Sequence, residues 1–181
     1  ALLAFCGHCE TVDSPEFGQN VKAAIEFLIN VAEANKGYMM SSNDRNMSYE
    51  HGIAVYALGE AYSLNKNARK PFKRISPTLK AAVPIVIEGQ TNGGGWLYSY
   101  GSNGTGDLSV AGWNIQALKA AEFTGLKFSG LTTAKKKAVR YLEAAEDPNG
   151  TSGFYRYRVN DGQKGKLSLT GVGTVCARML G

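Results

Sequence analysis

A glycine followed by a ring-bearing residue returns at a fixed interval, and this recurrence limits the fold more than any other feature of the chain. Gly37-Tyr38, Gly95-Trp96 and Gly153-Phe154 set their ring residues 58 positions apart twice in succession. Downstream, Met47-Ser48, Leu108-Ser109 and Leu167-Ser168 recur at intervals of 61 and 59, each opening an apolar segment rich in small residues. Upstream, Ala24, Ala82 and Ala138 hold equivalent places in a third periodic segment. A period of this length marks one supersecondary unit copied along a chain. Each unit reads as helix, glycine-aromatic loop, helix, over about 19–63, 76–124 and 132–181, within a single domain 1–181. The expected class is all-α.

The helical reading rests on spacing. Val21, Ala24, Ile25, Leu28, Val31 and Ala32 recur every three or four residues and so share one face. Gly37 is suited to end that helix, because a glycine enters the left-handed region without a Cβ clash. Ser76-Pro77 reads as an N-cap followed by proline at the first helical position, while Pro84 inside the same helix removes a backbone donor and predicts a kink. The third copy spans about Thr133 to Ala145 and gives way to an Asp147-Pro148-Asn149-Gly150 turn. The second helices begin at Ser48, at Asp107 or Ser109, and at Ser168, whose side-chain oxygens can accept from first-turn N–H groups. Their Gly- and Ala-rich sequences allow close approach, which suits an inner row of helices, with the more charged first helices outside.

Composition narrows the function classes. The 181 residues are 44% apolar, enough for one sizeable core. The longest apolar run, 81–87 with Pro84 inside it, is far shorter than the roughly 20 residues of a membrane span. The formal charge of +5 is mostly not gathered on one face; Lys66, Arg69, Lys70, Lys73 and Arg74 form one loop cluster and Lys135–Lys137 begin a helix, and both read as solvated faces. Nucleic-acid binders interleave aromatics with such stripes, so no nucleic acid is expected. Three cysteines are too few for a disulfide scaffold. The opening Ala1-Leu2-Leu3-Ala4-Phe5 resembles the end of an apolar helix, and the chain is expected to belong to a longer one. Three hairpins leave two end faces uncovered, to be met by further repeats or by self-association through the open ends.

Gln90-Thr91-Asn92-Gly93-Gly94-Gly95-Trp96 fits Gln-x-x-x-Gly-x-Trp and is followed by Gly106-Asp107-Leu108-Ser109-Val110-Ala111-Gly112-Trp113. This resembles the repeat of squalene-hopene cyclases and the wider prenyltransferase and squalene-cyclase superfamily. The motif is intact only in unit two; unit one has Ala32 and Lys36 at the matching positions, and unit three has Pro148 and Ser152. Ser48-Tyr49-Glu50-His51-Gly52-Ile53-Ala54, running into Ala57-Leu58-Gly59-Glu60-Ala61-Tyr62, is similar to bacterial prenyltransferase or squalene-oxidase repeat proteins without an established reaction. The resemblance implies an α/α toroid, here a partial ring of three hairpins with an N-terminal partial helix, and a ligand cavity among the inner-helix N-termini.

The chemistry of those families is tested residue by residue. The cyclases protonate an alkene with an acid from an Asp-x-Asp-Asp cluster, whose pKa neighbouring carboxylates adjust. Here Asp107 stands near the expected place among Gly106, Leu108 and Ser109, and a lone carboxylate at a helix start reads better as a cap. Protein prenyltransferases hold zinc with Asp, Cys and His; His51 resembles their histidine, but no Cys lies between Cys9 and Cys176. Neither a metal nor another cofactor is expected. Cys6-Gly7-His8-Cys9 has the spacing of a disulfide oxidoreductase, yet a helix end precedes it and a loop follows, so an inert connection is the reading.

The aromatics give the functional expectation. Tyr38, Trp96, Tyr98, Tyr100, Phe154 and Tyr155 lie in loops before inner helices, and Tyr49 and Trp113 lie at the start of those helices. Such rings can line a mouth that holds sugars, cations or apolar ligands. Tyr49, His51, Trp96, Tyr98, Trp113 and Tyr155 are the expected binding residues. Glu50, His51 and Asp107 are the candidates for polar chemistry, with His51 expected to titrate near neutrality. The expected role is a repeat module that binds an apolar, isoprenoid or glycan ligand, or a partner, at the concave inner-helix end without complete cyclase or transferase chemistry. The alternative is a terpenoid-cyclase-like or polysaccharide-acting enzyme completed by more chain or a second copy.

Overall fold

The computed structural model describes residues 1–40, 46–68, 71–148 and 153–181. Arg69 and Lys70 of the basic cluster, Asn149-Gly150 of the turn, and Ser152 lie outside the described residues. Seven helices occupy the described chain: α1 Leu2–Gly7, α2 Gly18–Ala34, α3 Met47–Asn65, α4 Ile75–Glu88, α5 Leu108–Phe123, α6 Leu131–Ala145 and α7 Leu167–Leu180. The described residues form no sheet, only isolated antiparallel bridges between Asp107 and Arg158 and between Glu146 and Tyr155. The chain is all-helical, as its periodicity requires.

Two kinds of helix alternate. The helices α2, α4 and α6 are one-sided: α6 buries Ala134, Ala138, Tyr141, Leu142 and Ala145 while Lys136, Lys137 and Arg140 stay outside that set. By contrast α3 and α5 are buried around most of their circumference. The four helices α1, α3, α5 and α7 pack in that order side by side. The helix α2 rests on α1, α3 and α4; α4 rests on α3 and α5; α6 rests on α5 and α7. Each one-sided helix therefore covers a seam between helices of the other kind.

Small residues set the spacing between α3, α5 and α7. A Cβ on Gly59 would stand 2.9 Å from Cβ of Ala120 across the α3–α5 contact, and one on Gly112 would stand 2.5 Å from Cγ1 of Val172 across the α5–α7 contact. Both are closer than packed carbons tolerate. The Gly- and Ala-rich composition is thus what lets these backbones approach.

Of the glycines beside the recurring ring residues, Gly37, Gly94 and Gly153 are left-handed, so Gly94 rather than Gly95 is the turning residue of the second loop. Cβ atoms on Gly37 and Gly94 would press on the backbone carbonyls of Ala81 in α4 and Lys137 in α6. In the two later loops, Asp107 N–H donates to the Trp96 carbonyl and Lys166 N–H to that of Tyr155, each at 2.9 Å. Leu108 N–H donates to the Tyr157 carbonyl at 2.9 Å, as Ser48 N–H does to that of Tyr98 at 3.1 Å.

Several helix starts differ from expectation. Asp107 is the N-cap of α5, its carboxylate accepting from the N–H groups of Ser109 and Val110. Ser48 and Ser168, however, lie inside the first turns of helices that begin at Met47 and Leu167. The loop carbonyl of Tyr98 meets the Ser48 N–H, so that donor needs no side-chain cap. The helix α4 begins at Ile75, which puts Ser76-Pro77 in its first turn, and it runs on through Pro84 to Glu88. At the end of α2, Gly37 N–H reaches back to the Ala32 carbonyl at 2.7 Å, with Lys36 itself left-handed. That closure is a Schellman turn.

Candidate functional site

The expected apolar face of α2 divides in two. Val21, Ile25 and Ala32 enter the core with Ile29. Ala24, Leu28 and Val31, with Phe27, instead line a groove of about 610 Å³ between α1, α2 and α3. Met39, Met40, Ile53, Ala54 and Ala57 complete most of its wall, and Glu50 in the first turn of α3 supplies its acidic side chain. Phe27 is 65% exposed. More apolar surface lies on α2 than the core takes up, and the surplus forms the groove.

His51, one residue along from Glu50, does not face that groove as a polar group. Its ring is buried, with Nδ1 accepting from Met39 N–H at 2.9 Å and Nε2 bonded to the Ala82 carbonyl at 3.0 Å. These partners require the neutral Nε2–H tautomer. Tyr38 and Tyr100 flank the ring at 5.6 and 5.8 Å between centroids. Burial pulls the pKa down to about 4. The expectation of titration near neutrality is therefore corrected: His51 ties the loop after α2 to α4 and has no ring nitrogen left over.

A second cluster forms at the N-termini of α3 and α5. The Tyr49 hydroxyl is hydrogen bonded to Ser109 Oγ, and Ser109 Oγ donates to Asp107 Oδ1. The rings of Tyr49 and Tyr98 meet edge to face at 5.5 Å, and the Tyr98 and Tyr157 hydroxyls are hydrogen bonded to each other. Burial, then the Asp107 carboxylate, holds the Tyr157 phenol well above its usual range. The structure thus brings together Tyr49, Tyr98 and Asp107 of the expected set. Ser109, placed by the sequence at the start of α5, joins them, as do Tyr157 and Arg158, to which no motif pointed.

The remaining expected residues lie apart from this cluster. Trp96 is fully buried and its Nε1 donates to the Val86 carbonyl at 2.8 Å, so it pins the second loop to α4. Gln90 of the same motif donates to the carbonyls of Gly94 and, in α6, Ala134, at 2.8 and 2.9 Å. The Gln-Trp motif here is a fastener between the loop and the helices on either side. Trp113 is half-buried on α5. The Tyr155 ring lies over Gly173, where a Cβ would come within 2.4 Å of it.

Cys6, Cys9 and Cys176 are free. Burial, with Glu60 nearby, pushes the Cys6 thiol up to about 11. That is opposite to the activated thiol of an oxidoreductase. Among the described residues no three His, Cys, Asp or Glu side chains gather to hold a metal, and no helix is long and apolar enough to cross a membrane. Comparison with protein-family models, with curated proteins and with solved structures found no match to this chain.

Proposed function

We propose that this chain is a ligand-binding part of an α/α toroid of the prenyltransferase and squalene-cyclase type, built from three copies of one hairpin, and that it receives an apolar, isoprenoid-like chain. The groove beside Glu50 carries the reading. Its volume of about 610 Å³ falls inside the roughly 300–1,000 Å³ of small-molecule sites. Apart from Glu50 its walls are aliphatic and thioether carbon with the Phe27 ring, a surface that matches hydrocarbon and offers a sugar few polar partners. Met39 and Met40 add side chains that adapt to irregular shapes. The side-by-side inner row and the recurring loop hydrogen bonds support the repeat architecture.

Binding is favoured over catalysis by His51, which has spent both ring nitrogens on backbone partners. Titration calorimetry with farnesol tests the proposal, using xylotetraose as the glycan control. One farnesol is expected to bind per chain, Ile53→Trp to abolish the signal by filling the groove, and xylotetraose to give none. Absence of farnesol binding, or binding indifferent to Ile53→Trp, sinks the proposal.

A further inference from the structure

The cluster around Asp107 contains more polar capacity than its own contacts use. Asp107 is 0% exposed, and its Oδ2 has no hydrogen-bond partner among the described residues. The Tyr141 hydroxyl is likewise buried and without one. The Tyr141 ring lies against Gly106, the residue before Asp107, where a Cβ would stand 2.9 Å from its Cε2, and burial, then the Asp107 carboxylate, raises its phenol above the usual range. A buried carboxylate oxygen left without a donor is costly. The cation beside it is a loose one: Arg158 Nε stands 3.9 Å from Oδ2, beyond hydrogen-bond reach, on a side chain that is 50% exposed. Its guanidinium lies over the Tyr157 ring, 5.8 Å from the centroid.

We propose that Asp107 Oδ2, the Tyr141 hydroxyl and the Tyr98–Tyr157 pair form a subsite for an ammonium or guanidinium group, over which Arg158 rests as a displaceable internal cation. The donors of such a group complete Oδ2, and its charge sits against the Tyr157 ring face, where Arg158 already shows that a cation is accommodated. The subsite is independent of the apolar groove and stands or falls without it.

The test titrates methylguanidinium into the parent protein, Arg158→Ala, and the Arg158→Ala/Asp107→Asn double variant, following Tyr98 and Tyr157 ring signals and the Arg158 Nε proton by NMR. Asparagine caps helices about as well as aspartate, so Asp107→Asn removes charge while keeping the start of α5, which circular dichroism checks. The parent is expected to bind weakly with the Arg158 Nε signal moving to a free-arginine position. Arg158→Ala is expected to bind at least about tenfold tighter, since an internal competitor has been removed, and the double variant to lose binding. Equal affinity in parent and Arg158→Ala, or binding that survives Asp107→Asn, would overturn the proposal. So would binding to the parent with Arg158 unmoved, which would mean a buried water satisfies Oδ2 and Tyr141.

Discussion

His51 shows how a residue of the right type can carry a structural role. In the unfolded chain its imidazole takes a proton near pH 6.5, whereas in the fold it stays neutral down to about pH 4. Above pH 6.5 both states are neutral and its full contribution to stability is present. As pH falls through 6.5 the unfolded state gains a proton that the folded state refuses, and stability declines until about pH 4. Denaturant unfolding is therefore expected to show a loss of about 2 kcal/mol between pH 7 and pH 5, and His51→Gln, though less stable at pH 7, to lack that component. Matching pH dependence in the two proteins would refute the assignment. The residue was legible as a candidate, but its role was not, because its partners Met39 and Ala82 lie 12 and 31 positions away. Asp107 was legible as a cap because the N–H groups it serves are two and three residues on.

Within an element, the spacing of apolar residues is a local signal, whereas the partner each side chain meets is set by other elements. The spacing on α2 located its apolar face, yet it could not say that Ile25 goes to the core while Leu28 goes to a groove; that division depends on where α1 and α3 lie. The excess width of the face was the available signal. Small residues on α3, α5 and α7 foretold close packing, and two glycines there make the point testable. Gly59 meets Ala120 in the α3–α5 contact, whereas nothing lies within 4 Å of a Cβ on Gly171, which is exposed in α7. Thermal unfolding is expected to show Gly59→Val destabilised by about 1–3 kcal/mol through overpacking. Gly171→Ala should be stabilised by about 0.5–1 kcal/mol, since alanine loses less backbone freedom in a helix. The same sign at both positions would contradict the packing described for the inner row.

The molecule as a whole is a row of four helices, α1, α3, α5 and α7, with one-sided helices over its seams, an apolar groove between α1, α2 and α3, and its tyrosine and carboxylate cluster where α3 and α5 begin. The three- and four-residue spacing anticipated an all-helical chain, and the glycines and alanines anticipated close approach of helices. Neither anticipated that Trp96 would be sealed in the core or that mainly aliphatic side chains, with Phe27, would line the groove. The four methionines report on an apolar ligand entering that groove: Met39 and Met40 line it, while Met47 and Met179 do not. Methyl-labelled methionine NMR during a farnesol titration is predicted to give saturable shifts of the Met39 and Met40 signals, with those of Met47 and Met179 far smaller. Unmoved Met39 and Met40 signals, or shifts centred on Met179, would contradict it.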